Sequence, residues 1–156
     1  MSYDVYVFGL PPGIRSTDEL MAYPEHERVR PLGTRELVLR TLTGLFPEAE
    51  FSNPSWGRLQ TEFGSMEISI GQDDPVQCIA LGLRATPAIM PVVKRLGTVP
   101  GWTVIDQTGV ILRPDDPSIG GMAAWLGYRD QVLGMAGSCP ATDGTPAGQQ
   151  EPDRGA

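Results

Sequence analysis

Two segments near the middle of the chain show the clearest hydrophobic pattern. From 58 to 63 and from 66 to 70, apolar side chains alternate with polar ones. This alternation is typical of strands that bury one face. Gly64-Ser65 between them suits the two central positions of a type II′ turn. The resulting hairpin places Glu62 directly opposite Glu67.

The rest of the pattern predicts four further strands and two helices. The strands are expected at 4–10, 76–83, 102–105 and 110–112, and the helices at 34–46 and 86–97. Thr34 suits a helix N-cap, and Asp106-Gln107-Thr108-Gly109 suits a hairpin turn with Gly109 at a left-handed position. A long connection over 11–33 has one helical turn near Thr17. The order β-α-β-β-β-α-β-β predicts an α+β fold, a ferredoxin-like two-layer sandwich with a mostly antiparallel sheet and two helices on one face.

The chain changes character after residue 114, which predicts three parts. Residues 1–114 form the α+β domain, and 115–136 form a C-terminal helical segment. Its apolar stripe, which includes Met122, Trp125 and Leu126, is a candidate surface for self-association. Residues 137–156 lack Leu, Ile, Val and aromatic residues, so we expect a disordered tail.

Charge and hydropathy exclude several partners. The net charge is −7 and the basic residues are spread along the chain, which argues against nucleic acid and against an anionic membrane surface. Apolar runs fall far short of the ~20 residues that a membrane helix needs. The N-terminus lacks the pattern of a secretion signal, so a cytoplasmic location is expected.

Few residues could carry familiar catalysis. His26 and Lys94 are the sole histidine and lysine, and Cys78 and Cys139 lie far apart. Nucleophilic, Schiff-base and zinc chemistry depend on such groups. We therefore predict no catalytic residues, no metal site, no cofactor and a non-enzymatic role. We expect His26 at the surface, Trp56 as an aromatic plug at a sheet edge and Trp102 in the core.

The polar face of the predicted hairpin is the candidate site. It carries Arg58, Gln60, Glu62, Glu67 and Ser69. The strand beyond adds small residues, in a lane of Cys78, Ala80 and Gly82. Like charges opposite each other destabilise a sheet, and this pairing contains no cation to neutralise the two glutamates.

Three interpretations of this face stay open. It is a solvated surface, or the C-terminal helix covers the lane with Trp125 and Leu126, or the glutamates await an external cation. That cation could be a partner's Lys or Arg, or a metal. As an acid/base pair the glutamates are unconvincing, because an open face does not raise a carboxyl pKa by burial.

Several short segments together resemble a pattern found in small bacterial α+β proteins. The segments are 3–8 (YDVYVF), 54–57 (PSWG), 65–71 (SMEISIG), 74–76 (DPV) and 102–109 (WTVIDQTG). Similar small domains include immunity proteins, which neutralise partner toxins. The resemblance implies a binding role, by analogy, and no catalytic residue.

The sequence thus favours an immunity-like, protein-binding module whose partner has a basic surface. The alternative is a small-molecule-binding protein or carboxylate-dependent enzyme, with a pocket between the sheet and the 11–33 connection.

Overall fold

The structure is a computed structural model that describes residues 2–138. The strands in that range are β1 (Tyr3–Phe8), β2 (Glu50–Asn53), β3 (Trp56–Thr61), β4 (Gly64–Ser69), β5 (Cys78–Ala85), β6 (Thr103–Asp106) and β7 (Ile111–Leu112). The helices are α1 (Thr17–Met21), α2 (Arg35–Leu45), α3 (Met90–Lys94) and α4 (Met122–Ser138). Short 3-10 helices lie at Glu25–Glu27, Pro87–Ile89 and Arg95–Thr98.

The strands form one open antiparallel sheet in the order β2-β3-β4-β5-β1-β6-β7. The predicted α+β class is therefore confirmed. The ferredoxin-like topology and the two-layer sandwich are not. β1 lies between β5 and β6 and is antiparallel to both, and β2, which the pattern did not predict, pairs with β3.

The predicted hairpin register is wrong by four residues, because Glu67 pairs with Arg58 instead of Glu62. Thr61 pairs with Gly64, so the turn is centred on Glu62 and Phe63. The Thr61 hydroxyl accepts a hydrogen bond from Phe63 N at 3.0 Å and donates one to Gly64 O at 2.9 Å. Position 64 requires glycine because of its neighbours and not because of the turn. Its φ is +132°, and a β-carbon there would collide with the backbone of β5. A four-residue shift, like any even shift, preserves which side chains share a face.

One face of the sheet belongs to the hydrophobic core. Every second residue of β1, β4 and β5 is buried there, among them Val5, Met66 and Leu81. The helices contribute buried residues to the core as well, for example Leu42 of α2. As predicted, Thr34 caps α2, because its side chain accepts a hydrogen bond from Leu37 N at 3.2 Å.

Asp106 at the end of β6 is a buried hydrogen-bonding centre. Its carboxylate accepts hydrogen bonds from Tyr3 Oη, from the backbone amides of Thr108, Val110 and Gly121, and from Thr108 Oγ1. Burial alone would raise the pKa of Asp106, but these hydrogen bonds outweigh it and hold the pKa below its usual value. The carboxylate thus ties β1, the β6–β7 turn and the 118–121 segment together.

The β6–β7 turn has the predicted form. Gly109 N donates a hydrogen bond to Asp106 O at 2.9 Å, and Gly109 has a φ of +89°. Glycine adopts such a left-handed conformation without steric cost.

The chain divides into two compact units, the first ending at Met122 and the second beginning at Ala123. The C-terminal helix, predicted over 115–136, begins at Met122, and the segment before it contributes Gly121 to the Asp106 centre. Within α4, the Arg129 guanidinium lies 5.4 Å from the centre of the Trp125 ring. Among residues 2–138, no helix is long and apolar enough to cross a bilayer. Most of the predicted tail, 139–156, lies outside the described residues.

Candidate functional site

The second face of the sheet carries a groove over β5. The predicted small-residue lane is present, because Cys78, Ala80 and Gly82 alternate with buried residues and are only partly covered. Burial raises the pKa of the Cys78 thiol, which keeps it protonated. The lane therefore forms a smooth floor without charge.

Two carboxylates flank the glycine of this floor. Asp4 of β1 and Glu67 of β4 both pair with Gly82, one from each side. Two strand spacings separate the two acids, about 10 Å. A β-carbon on Gly82 would lie 3.9 Å from Glu67 Oε1 and 3.8 Å from Ser2 Oγ. The side chains of Glu67 and Ser2 therefore lie over Gly82 from opposite sides.

The next row across the sheet adds aromatic walls. Tyr6 pairs with Ala80, Ala80 with Ser69, and Ser69 with Trp56. Together with the carboxylate row these residues enclose a groove of ≈ 260 Å³. Its lining is Ser2, Asp4, Tyr6, Trp56, Glu67, Ser69, Ala80, Leu81 and Gly82.

The charge in the groove is negative. Asp4 accepts a 3.3 Å hydrogen bond from Ser2 Oγ, a neutral donor. Arg58 pairs with Glu67 in the β3–β4 register. Within residues 2–138, however, no ion pair within 4.0 Å involves Glu67 or Asp4. Both acids are half-buried, so water screens them less than fully exposed groups.

The predicted Glu62–Glu67 pair does not exist, which corrects the premise of the sequence-based site. Glu62 is exposed in the β3–β4 turn, and Glu67 faces Arg58 instead. The cause is the four-residue register shift. Arg58, Gln60, Glu67 and Ser69 do share the second face, as predicted, but only Glu67 and Ser69 line the groove.

The chain itself covers the other end of this face. Phe8 and Ile105, on the same face as Tyr6, pack against Leu10, Ile14, Leu20, Ile111 and Tyr23. The connection after β1 therefore shields the sheet near β6 and β7. Within the described first unit, this connection does not cover the groove over β5.

A second cavity lies beside the start of the connection after β1. It has a volume of ≈ 260 Å³ and is lined by residues 10 and 12–14, by 97–104 and by 111–114. The sole ionisable group in this lining is Arg113, whose Nε lies 3.2 Å from Asp115 Oδ1. The lining suits a small neutral molecule better than carboxylate chemistry.

The remaining predicted groups are distributed over the surface and the core. The His26 side chain is 80% exposed, as predicted, and its Nε2 lies 3.4 Å from Glu27 Oε2. Trp102 is buried, as predicted, and its Nε1 donates a 3.2 Å hydrogen bond to Leu32 O. Among the described residues, no three His, Cys, Asp or Glu side chains cluster as metal ligands would.

Sequence reasoning missed five residues of the groove lining: Ser2, Asp4, Tyr6, Trp56 and Leu81. The alternation in β1 contains the signal, since Asp4 and Tyr6 share the parity of its polar side. This signal could not be used, because the sequence does not show that β1 lies beside β5. Trp56 was interpreted as a structural plug at the sheet edge, whereas it also lines the groove.

Comparison with protein-family models, with curated proteins and with solved structures finds no match for this chain.

Proposed function

We propose that this chain is a non-enzymatic protein-binding module that holds a lysine or arginine side chain of a basic partner in the groove over β5. The observation that carries the proposal is the placement of Asp4 and Glu67 on both sides of Gly82. An immunity-type role, in the cytoplasm, is the biological setting that the sequence resemblance favours.

The chemistry of the walls supports a cationic occupant. A cation between the two carboxylates gains Coulomb attraction to both, and the faces of Tyr6 and Trp56 attract cations through their ring quadrupoles. Cation–π contacts contribute roughly 0.5–2 kcal/mol, depending on desolvation. The net charge of −7 adds long-range attraction for a basic partner.

The size of the groove supports a protein side chain over a whole metabolite. Its ≈ 260 Å³ is below the ~300–1,000 Å³ typical of small-molecule pockets. With a partner side chain in the groove, Arg58 and Gln60 beside it would make polar contacts at the rim of the interface.

The test is affinity capture from the native host with three baits. The baits are the unchanged chain, an Asp4→Lys/Glu67→Lys variant, and a Glu50→Lys/Glu62→Lys control with the same net charge. Glu50 and Glu62 are exposed and lie outside the groove lining. We expect a captured protein with a basic surface, which the control retains and the groove variant loses.

Equal loss of the partner in both charge-reversed variants would mean that net charge alone drives capture, and the groove proposal would fail. A second groove variant, Gly82→Val, fills the floor without changing charge. The strand accepts a β-carbon at this position at ordinary contact distances, and valine favours strands. Capture by this variant at full strength would also contradict the proposal.

The alternative is a small-molecule-binding function for the cavity beside the connection after β1, whose ≈ 260 Å³ limits the ligand to a very small molecule. Its position between residues 12–14 and β6–β7 is the observation in its favour. Thermal-shift screening of neutral metabolites discriminates the two: stabilisation by one ligand class that Val99→Trp abolishes favours the cavity, since half-buried Val99 lines it.

A further inference from the structure

A larger cleft lies on another part of the first unit, beside α3. Its volume is ≈ 650 Å³, within the range of small-molecule sites. Its apolar lining comes from α3 and the turn before it and from the segment after β7, and consists of Pro87, Met90, Pro91, Pro114, Pro117 and Ile119. The cleft therefore offers an apolar surface to the body of a ligand.

Lys94 brings a buried positive charge into this cleft. It lines the cleft and is 7% exposed. Its ammonium group donates a hydrogen bond to the backbone carbonyl of Asp116. Within residues 2–138, no other hydrogen bond and no ion pair involves this side chain. An ammonium has three donors, and burying a charge is costly unless it is paired. One neutral acceptor thus leaves Lys94 under-satisfied.

The acidic residues of the lining are committed to other groups. Asp115 accepts hydrogen bonds from the Arg113 guanidinium at 3.2 and 3.3 Å. The Asp116 carboxylate accepts one from Ser118 N at 2.9 Å. Arg95, exposed at the rim, adds a second positive charge. The Asp116 carboxylate keeps its negative charge, because its donor is neutral, but Lys94 and Arg95 together outweigh it. The unpaired charge of the cleft is therefore positive on balance.

We propose that this cleft binds a small organic carboxylate with an apolar body. The carboxylate accepts hydrogen bonds from Lys94 Nζ, and the hydrocarbon part packs on the prolines, Met90 and Ile119. The carboxylate of such a ligand provides the acceptor that the buried ammonium lacks. Its hydrocarbon part covers apolar walls that would otherwise be exposed to water. The site is separate from the groove over β5 and does not depend on the function proposed for it.

The probes are octanoate, 1-octanol and inorganic phosphate, added to the full chain and followed by ligand-observed NMR and thermal shift. We expect octanoate to bind and to raise the melting temperature. Octanol lacks the charge, and phosphate lacks the apolar body. A charge-assisted hydrogen bond corresponds to roughly tenfold in affinity or more, so both should bind at least about tenfold more weakly.

Lys94→Met should remove most octanoate binding, whereas Arg40→Met, the same class of change on exposed α2, should not alter it. Ala88→Trp tests the cleft without touching Lys94, because exposed Ala88 lines its rim and the indole would occupy the space for the hydrocarbon. The proposal is overturned if octanoate does not bind, if octanol or phosphate binds as tightly, or if octanoate binding survives Ala88→Trp.

Discussion

Replacing Asp106 by asparagine removes the charge from the buried centre and keeps its shape. In the native chain one carboxylate oxygen, Oδ1, accepts from Thr108 N, Thr108 Oγ1 and Val110 N, at 2.9, 2.6 and 3.0 Å. The other, Oδ2, accepts from Tyr3 Oη and Gly121 N, both at 2.7 Å. An amide oxygen can serve the first set, which leaves the NH₂ group facing the second.

The loss of stability depends on the two donors that faced Oδ2, Tyr3 Oη and Gly121 N. The Tyr3 hydroxyl can rotate and accept from the amide, but Gly121 N is a donor that then faces another donor. A hydrogen bond to a charged group contributes roughly 1.5–3 kcal/mol, and the bonds that survive lose their charge assistance. We therefore expect Asp106→Asn to lower the free energy of unfolding by about 2–4 kcal/mol at neutral pH.

The same substitution should also change how the free energy of unfolding depends on pH in the acidic range. The folded pKa of Asp106 lies below its usual value, and the unfolded value is about 3.9. The unfolded state therefore binds the proton more readily. The contribution of Asp106 is fully present above about pH 5 and is lost as the pH falls through the folded pKa. The stability gap between the native chain and Asp106→Asn should thus narrow below about pH 4.

Urea unfolding at neutral pH and at steps down to about pH 3 measures both effects. Asp73→Asn is the matched control, because Asp73 is exposed in the loop between β4 and β5, and it should stay within about 0.5 kcal/mol of the native chain. Unchanged stability in Asp106→Asn at neutral pH, or a gap that stays constant with pH, would refute the hydrogen-bonding account.

Two further substitutions test the core, together with one control on an exposed residue. Leu42→Ala, at a fully buried position of α2, should lower the unfolding free energy by about 2–5 kcal/mol. Leu37→Ala, on the same helix but 47% exposed, should cost less than about 1 kcal/mol. Trp102→Phe removes the buried hydrogen bond to Leu32 O and should cost about 1–3 kcal/mol. Urea unfolding at neutral pH measures all three, and equal losses at Leu42 and Leu37 would contradict the burial pattern.

Local chemistry made much of the fold predictable. Thr34 caps α2 and Gly109 occupies a left-handed turn position, and both follow from residue type and immediate neighbours. The division of the central strands into a buried and a polar face also follows from the sequence alone. It depends only on alternation, which a slip of four residues leaves intact.

The register and the strand order depended on contacts distant in sequence. Gly64-Ser65 has the composition of a type II′ turn, but Gly64 is placed there by its close approach to β5. The position of β1 between β5 and β6 joins residues far apart in the chain. No local signal encodes this arrangement. The groove, which needs β1, β3, β4 and β5 together, was therefore predictable only in part.

The Asp106 centre shows the same limit. The sequence places Asp106 in a turn before Gly109, and this is confirmed. Its hydrogen bonds from Tyr3 and Gly121 bring in both ends of the first unit. Such a centre cannot be derived from the turn segment alone.

The central claim is that the groove over β5 holds a cationic side chain, and an NMR titration tests it most directly. The ¹⁵N-labelled chain is titrated with a short peptide that contains arginine, and with the same peptide in which neutral citrulline replaces it. We predict that arginine shifts the amide signals of Asp4, Tyr6, Glu67 and Gly82 and the indole signal of Trp56, and that citrulline does not. Equal shifts with both peptides, or shifts confined to residues outside the groove lining, would contradict the claim.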